Sequence, residues 1–414
     1  MDVELLFPNK GATDLETVLK TVASCSTARP FDESMLAACA DLSRRIMQDA
    51  EARRYPALMA LAFWIRKAEL IRLHEEFANL DRPDRILVPS GTVFHLPPRN
   101  VDTMFVYSWL LSALVGNKSI IRLSPQRSDS TNLLLRLFRD ALAAAEEPAR
   151  NSTVIVSYGH ESAITFALTA YSDLRVIWGG DNTINEVRRA SLPSHGREVI
   201  FPDRYSMAAV NINSYLALSP EERDRLADLF FNDVFWFDQL ACSSPQLVAW
   251  CGEGTQARIA SSDFFTRVCA CARRRHYLTS AANSMQKLTF AASAILDMCV
   301  ESWQRFPELT ILSLATLSDF NRSHPGGGFV FEVAVNSLAG LVPSLVRKDQ
   351  TLTTFGFDDT ELISLVRQLN GKAIDRIVPI GQALQFGRFW DGYDLLRAFC
   401  REVYVNNSPI KTMA

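Results

Sequence analysis

At 414 residues the chain is longer than one ordinary hydrophobic core supports, so two lobes are expected. Hydrophobic residues make up 48% and charged residues 21%, as in a folded globular protein, and a net charge of −3 leaves no electrostatic footprint for nucleic acid or an anionic membrane. The longest apolar run, Met104 to Val115, holds twelve residues with two serines and a tyrosine, too short to span a bilayer.

In chain order, Met1-Asp2-Val3-Glu4-Leu5 carries two acids and no basic stretch, so no secretory signal is expected. Residues 31–80 read as helical, with one long stretch from Met59 to Phe77. From about residue 85 strands and helices alternate: a strand at Arg85-Ile86-Leu87-Val88, a helix over 102–115 and a strand at 119–123. A helix over 130–145, a strand at 153–156, a helix over 161–170 and a strand at 175–178 follow. This alternation predicts a doubly wound parallel sheet, with ligands at the carboxyl ends of its strands. Those ends carry Pro97-Pro98-Arg99-Asn100, Ser124-Pro125 and Gly179-Gly180-Asp181. No GxGxxG follows any strand, so the common dinucleotide fingerprint is absent.

Further on, Ser219-Pro220-Glu221-Glu222 has the form of a capping box opening a helix through Leu226, Leu229, Phe230 and Val234. The glycine-free stretch from Leu216 to Phe237 is read as a link between lobes. A short apolar strand is predicted at Leu247-Val248-Ala249-Trp250, and Gly326-Gly327-Gly328 reads as a turn before the strand from Phe329 rather than as a phosphate cradle. The domains expected are a helical part of the cofactor lobe at 1–80, a cofactor-binding lobe at 81–210, a catalytic lobe at 211–385 and a C-terminal segment at 386–414.

The eight cysteines suit neither a disulfide framework nor a four-ligand zinc site, which favours a reducing, cytoplasmic protein. Cys269, Cys271 and His276 invite a metal. Residues two apart on a helix diverge, however, and Arg273, Arg274 and Arg275 repel a cation, so no metal is expected. Cys242 lies in Phe237-Asp238-Gln239-Leu240-Ala241-Cys242-Ser243-Ser244-Pro245-Gln246, between the amphipathic helix and the buried strand. A nucleophilic sulfur fits that position. Taken alone, a cysteine beside apolar elements is more often an inert core residue.

The strings combine into a pattern. Pro98-Arg99-Asn100 before a helix, Gly116-Asn117 at its end, a strand into Arg122-Leu123-Ser124-Pro125, and Trp178-Gly179-Gly180-Asp181 together resemble the aldehyde dehydrogenase superfamily. The closer resemblance is to the LuxC acyl reductases. It rests on Tyr55-Pro56, Ala60-Leu61-Ala62-Phe63-Trp64, the cysteine segment, the string from Asp375 to Ala383, and Trp390-Asp391-Gly392-Tyr393-Asp394, and it covers roughly residues 30–405. It implies an α/β, aldehyde dehydrogenase-like fold, with doubly wound parallel sheets in a cofactor lobe and a catalytic lobe. It further implies NADPH-dependent reduction of an activated, long-chain fatty acyl group to the aldehyde. The donor would be acyl-CoA or an acyl-protein, and the intermediate an acyl thioester on Cys242. An acyl-protein synthetase as partner and a homo-oligomer belong to the same expectation.

By this resemblance Asn100 donates to the developing oxyanion with the Cys242 backbone N–H, a contribution of about 2.7–4 kcal/mol for such a donor. Arg122 and Ser124 stand where NAD-specific relatives often carry an acidic residue, so they are expected to bind a ribose 2′-phosphate. Gly179 and Gly180 admit close approach of the cofactor, and Asp181 is expected to cap the next helix. The segment 199–206 lacks the glutamate with which hydrolytic relatives activate water, so an acyl-enzyme should persist. His95 and Asp203 are the candidate acids or bases, although each is more readily explained as a structural residue. Two alternatives stay open: a cysteine acyltransferase without hydride chemistry, and a non-catalytic partner of an acyl-activating enzyme.

Overall fold

The computed structural model describes residues 2–159, 161–318 and 320–406; residues 407–414 of the C-terminal segment lie outside them. The chain forms two compact units, one from the residues up to 202 together with those from 386 onward, the other from 203–385.

In the first unit the strands are β1 (Asp2–Phe7), β2 (Gly11–Asp14), β3 (Arg85–Pro89), β4 (Thr92–Leu96), β5 (Lys118–Leu123), β6 (Thr153–Ser157), β7 (Leu174–Trp178) and β8 (Arg197–Phe201). Seven of them build one sheet in the order β2-β1-β6-β5-β4-β7-β8. The five from β4 to β8 are parallel, and β1 runs antiparallel to β6. The parallel strands β6 and β7 are buried at every residue, which explains their unbroken apolar sequences.

Three expectations need correction here. The strand at Arg85 exists but stands outside the main sheet, pairing antiparallel with Cys400–Tyr404. The central strand is instead β4, Thr-Val-Phe-His-Leu, whose polar members hid it; all five of its residues are buried. His95 is accommodated because its Nδ1 pairs with Ser108 Oγ at 2.8 Å, and Trp178 Nε1 donates to the same hydroxyl at 3.2 Å. The long helix over 59–77 is two helices, Pro56–Trp64 and Lys67–Ala78.

The second unit contributes β9 (Tyr205–Asn211), β10 (Pro245–Cys251), β11 (Val300–Arg305), β12 (Thr310–Leu314), β13 (Phe329–Val335), β14 (Asp349–Phe355) and β15 (Arg376–Pro379). Their order is β11-β12-β13-β10-β9-β14-β15, parallel apart from the β11–β12 hairpin. Both sheets are thus doubly wound, as expected. Helix Pro220–Phe235 starts at the capping box: Glu222 N donates to Ser219 Oγ, and Ser219 N to Glu222 Oε2. The helix is no link between lobes. Leu226, Phe230 and Val234 are buried in the second unit's core against Trp250, Phe264 and Phe265.

Near the end of that helix the buried Asp233 accepts the N–H groups of Gly381 (2.6 Å) and Ala383 (2.9 Å), which clamps the string Asp375–Ala383 onto the helix. Burial pushes its carboxyl up to about 7, against the pull of the two amides and Arg376. The folded pKa therefore exceeds the unfolded value near 4. Stability from the protonated carboxyl is fully present below about pH 4 and is lost as pH rises through about 7. Denaturant titrations at pH 5 and pH 8 should show wild type losing stability over this interval relative to Asp233→Asn, which has no proton to lose. A difference between the two proteins that is independent of pH would contradict the account.

Candidate active site

In the first unit β4 lies between β5 and β7, with β6 beyond β5 and β8 beyond β7, so strand order reverses at β4. Such a switch point opens a crevice at the carboxyl ends of the strands. Pro97-Pro98-Arg99-Asn100 leaves β4 there, Ser124 leaves β5, and Gly179-Gly180 leaves β7. A groove at this edge is lined by Pro98, Arg99, Arg122, Ser124, Gln126 and Arg127.

Arg122 is half-anchored. Its Nη2 donates to the carbonyls of Tyr158 (3.0 Å) and Gly159 (2.6 Å), and its guanidinium stands 5.2 Å from the Tyr158 ring centre. Ser124 Oγ accepts from Gln126 N at 3.3 Å. Asp102, also on the groove, accepts hydroxyl protons from Ser128 and Thr131, both at 2.7 Å, and from Ser130. The strand ends fit a nicotinamide nucleotide: Arg99, Arg122 and Arg127 supply positive charge, and a side chain built on Gly180 would meet nothing within 4 Å. The capping role expected of Asp181 is corrected. Gly180 is the N-cap residue of helix Asp181–Val187, and Asp181 sits exposed in its first turn. Asn100 is exposed, just beyond β4.

In the second unit Cys242 sits on the loop 236–244 between helix Pro220–Phe235 and β10, partly exposed. The loop turns through left-handed backbone at two non-glycine residues, Asp238 (φ 49°) and Gln239 (φ 62°). What holds it is the fully buried Gln239 amide. Nε2 donates to the carbonyls of Pro245 and Phe329, both at 2.8 Å, and Oε1 accepts from Phe329 N at 2.9 Å. Gly326, Gly327 and Gly328 all have positive φ and form a turn before β13, as expected. That turn packs against the loop: Gly327 N donates to the Asp238 carbonyl at 2.7 Å, and a β-carbon on Gly326 would lie 2.8 Å from the same oxygen. Ser206 Oγ donates to the carbonyl of Cys242 itself at 2.6 Å. The buried hydroxyls of Ser243 and Ser244 find no hydrogen-bond partner among the described residues.

Among the other cysteines, burial pushes the thiols of Cys251, Cys269, Cys271 and Cys400 up to about 12 and that of Cys25 to about 11, and raises Cys39 further still. These thiols stay protonated and unreactive near neutrality. His95 is fully buried and held neutral, its pKa driven down to about 3 by desolvation. Asp203 is exposed and paired with Lys348 at 3.1 Å. Gln239 and Ser206 were not singled out from the sequence. Neither carried a signal, since left-handed backbone usually announces itself as glycine.

Two doubly wound sheets of this topology define an aldehyde dehydrogenase-like fold. A 1-pyrroline-5-carboxylate dehydrogenase from Thermus with bound NAD superposes with a TM-score of 0.66 at 14% identity, covering 98% of this chain and 89% of that one. Betaine aldehyde dehydrogenase from Staphylococcus aureus gives 0.65 at 10% identity, covering 100% and 93%. Within this fold the chain belongs to the acyl-CoA reductase (LuxC) family, matched over residues 12–402. Long-chain acyl-protein thioester reductases of Aliivibrio fischeri and Vibrio harveyi are 27% and 28% identical to it over 167 residues, 40% of this chain. That stretch spans 33% of each relative's length.

Replacing Gln239 by leucine would strand three buried backbone groups, each costing about 1–3 kcal/mol when left unpaired. Gln239→Leu should therefore lower the unfolding free energy by at least about 3 kcal/mol, measured by denaturant titration. An effect below 1 kcal/mol would show that the amide does not hold the loop.

Proposed function

We propose that the protein reduces an activated fatty acyl group to the aldehyde through a thioester on Cys242. The observation that supports this most directly is Cys242 itself: partly exposed, on a loop fixed from both sides, in a chain of the acyl-CoA reductase family. The Cys242 thiolate attacks the carbonyl of an acyl-CoA or acyl-protein thioester. The donor's thiolate leaves with the electron pair of the broken C–S bond, and the acyl group remains on Sγ. Asn100 and the Cys242 backbone N–H donate to the carbonyl oxygen as it gains charge. A reduced nicotinamide nucleotide, when bound, supplies the hydride that adds to that carbonyl. The tetrahedral adduct on Sγ then breaks its C–S bond, releasing the aldehyde and returning Cys242 as the thiolate.

Arg122, Ser124, Gly179, Gly180 and Asp181 are the residues assigned to the nucleotide. Arg122 is anchored through one guanidinium nitrogen, and the others are available for a phosphate at the same groove. This supports NADPH as the reductant. An acyl-protein synthetase as supplier and self-association of the chain complete the reading.

Persistence of the acyl-enzyme belongs to the same reading. Asp203 is tied to Lys348, and Glu198, the nearest glutamate to segment 199–206, is held by Arg175 and Arg188.

Incubation with acyl-CoA in the absence of nicotinamide should add one acyl mass, removable by hydroxylamine and missing in Cys242→Ser. A hydroxylamine-labile adduct formed equally fast in the variant would move the nucleophile elsewhere. Chased in buffer, the acyl-enzyme should be reduced by NADPH at least about 100-fold faster than it hydrolyses, a barrier difference of about 2.7 kcal/mol. Comparable rates would favour a hydrolytic dehydrogenase.

Loss of a charge-assisted phosphate contact costs about 1.5–3 kcal/mol. Arg122→Ala should accordingly raise KM for NADPH by at least tenfold with little change for NADH in steady-state kinetics. Equal losses for both would remove Arg122 from phosphate recognition.

A further inference from the structure

On the second unit, the helix Ala281–Asp297 and the β11–β12 hairpin enclose a cavity of about 410 Å³. Its walls are Leu288, Trp303, Phe306 and Pro307, and its polar members are Ser284, Lys287, Arg305 and Thr310. The size is that of a small-molecule site, and so is the composition: apolar walls with a few convergent polar groups.

Lys287 is the unusual member. It is only 4% exposed, yet among the described residues its ammonium makes a single hydrogen bond, a long one of 3.5 Å to the Glu308 carbonyl. An ammonium has three protons to donate and is rarely buried unless paired. Burial and then the neighbouring Arg305 draw its pKa down to about 8, so two cations share this cavity at a cost that an anion would relieve. Arg305 is exposed and makes no ion pair of its own among the described residues. The nearest carboxylate, Glu308, contacts Arg273 at 3.4 Å through Oε1, and its buried Oε2 has no partner among the described residues.

The charges therefore call for a negative group: Lys287 and Arg305 bring two positive charges, and the one negative charge close by, on Glu308, is shared with Arg273. The four apolar walls call for hydrocarbon on the same ligand.

We propose that this cavity binds an amphipathic monoanion, a fatty carboxylate, with its head group between Lys287 and Arg305 and its chain along Trp303, Leu288 and Phe306. Cys242 does not line this cavity, and the proposal does not depend on the chemistry assigned to that residue. A fatty carboxylate is the oxidised counterpart of the proposed aldehyde product, so occupancy here would report the level of free fatty acid to the protein.

The test is titration calorimetry of the full chain with dodecanoate, comparing wild type, Arg305→Gln and Lys287→Met. Arg305 is exposed, and methionine keeps the length of lysine while removing a buried charge, so neither change threatens folding. The expected result is a binding event in wild type that weakens at least tenfold in each variant, while Cys242→Ala retains it. Amine labelling followed by peptide mass mapping gives a local readout, since dodecanoate should slow modification of Lys287 and dodecanol should not. Equal dodecanoate affinity in wild type and both variants would overturn the proposal. Equal binding of dodecanol would reduce the cavity to a greasy pocket without head-group recognition. Tighter binding of inorganic phosphate or AMP than of dodecanoate, lost in the same variants, would overturn the carboxylate assignment in favour of a phosphate site.

Discussion

One buried primary amide governs the loop that carries Cys242. Gln239 satisfies three backbone groups at once, on β10 and β13, and so fixes the loop that carries Cys242 three residues later. The loop needs this. Asp238 and Gln239 sit in left-handed backbone without being glycine, a strain of about 1–3 kcal/mol each. The three amide bonds offset that strain, and the turn at Gly326–Gly328 closes on the Asp238 carbonyl from the other side. Ser206 then holds the cysteine's own carbonyl.

The two units solve the positioning problem differently. In the first, groups assigned to the nucleotide stand at the carboxyl ends of β4, β5 and β7, where the topology of any doubly wound sheet opens a crevice. Arg122 needs only its two carbonyl contacts to be aimed. In the second unit, Cys242 precedes its strand and lies on the amino side of the sheet, where the fold offers no ready crevice. Position there must be built from specific hydrogen bonds.

This difference also sets what the sequence could reveal. Strands β5, β6 and β7 were legible because parallel strands covered on both faces read as apolar runs. The capping box at Ser219 was legible because its two bonds span three residues. The strand β4 was not, since His95 breaks its apolar run and is tolerated only through Ser108, a partner supplied by another element. The break between Trp64 and Lys67 carries no proline or glycine; Trp64 instead packs against the rings of Tyr107 and Phe386, the latter more than three hundred residues away. Cys242 could be found from its family string. The amide that holds it could not, because one of its partners lies ninety residues downstream. Asp233 was hidden in the same way, its partners Gly381 and Ala383 being about 150 residues off.

The dependence of the cysteine loop on Phe329 has a consequence for the order of events during synthesis. When Cys242 has left the ribosome, the strand that receives the Gln239 amide does not yet exist. Until residues 326–335 emerge and pair with β10, the left-handed turn at Asp238 and Gln239 has neither the two amide bonds to Phe329 nor the glycine turn behind it. The Cys242 loop is therefore assembled late, when four fifths of the chain has been made. A truncated chain ending before β13 would carry the cysteine and the complete helix before it, yet lack the contacts that fix the loop.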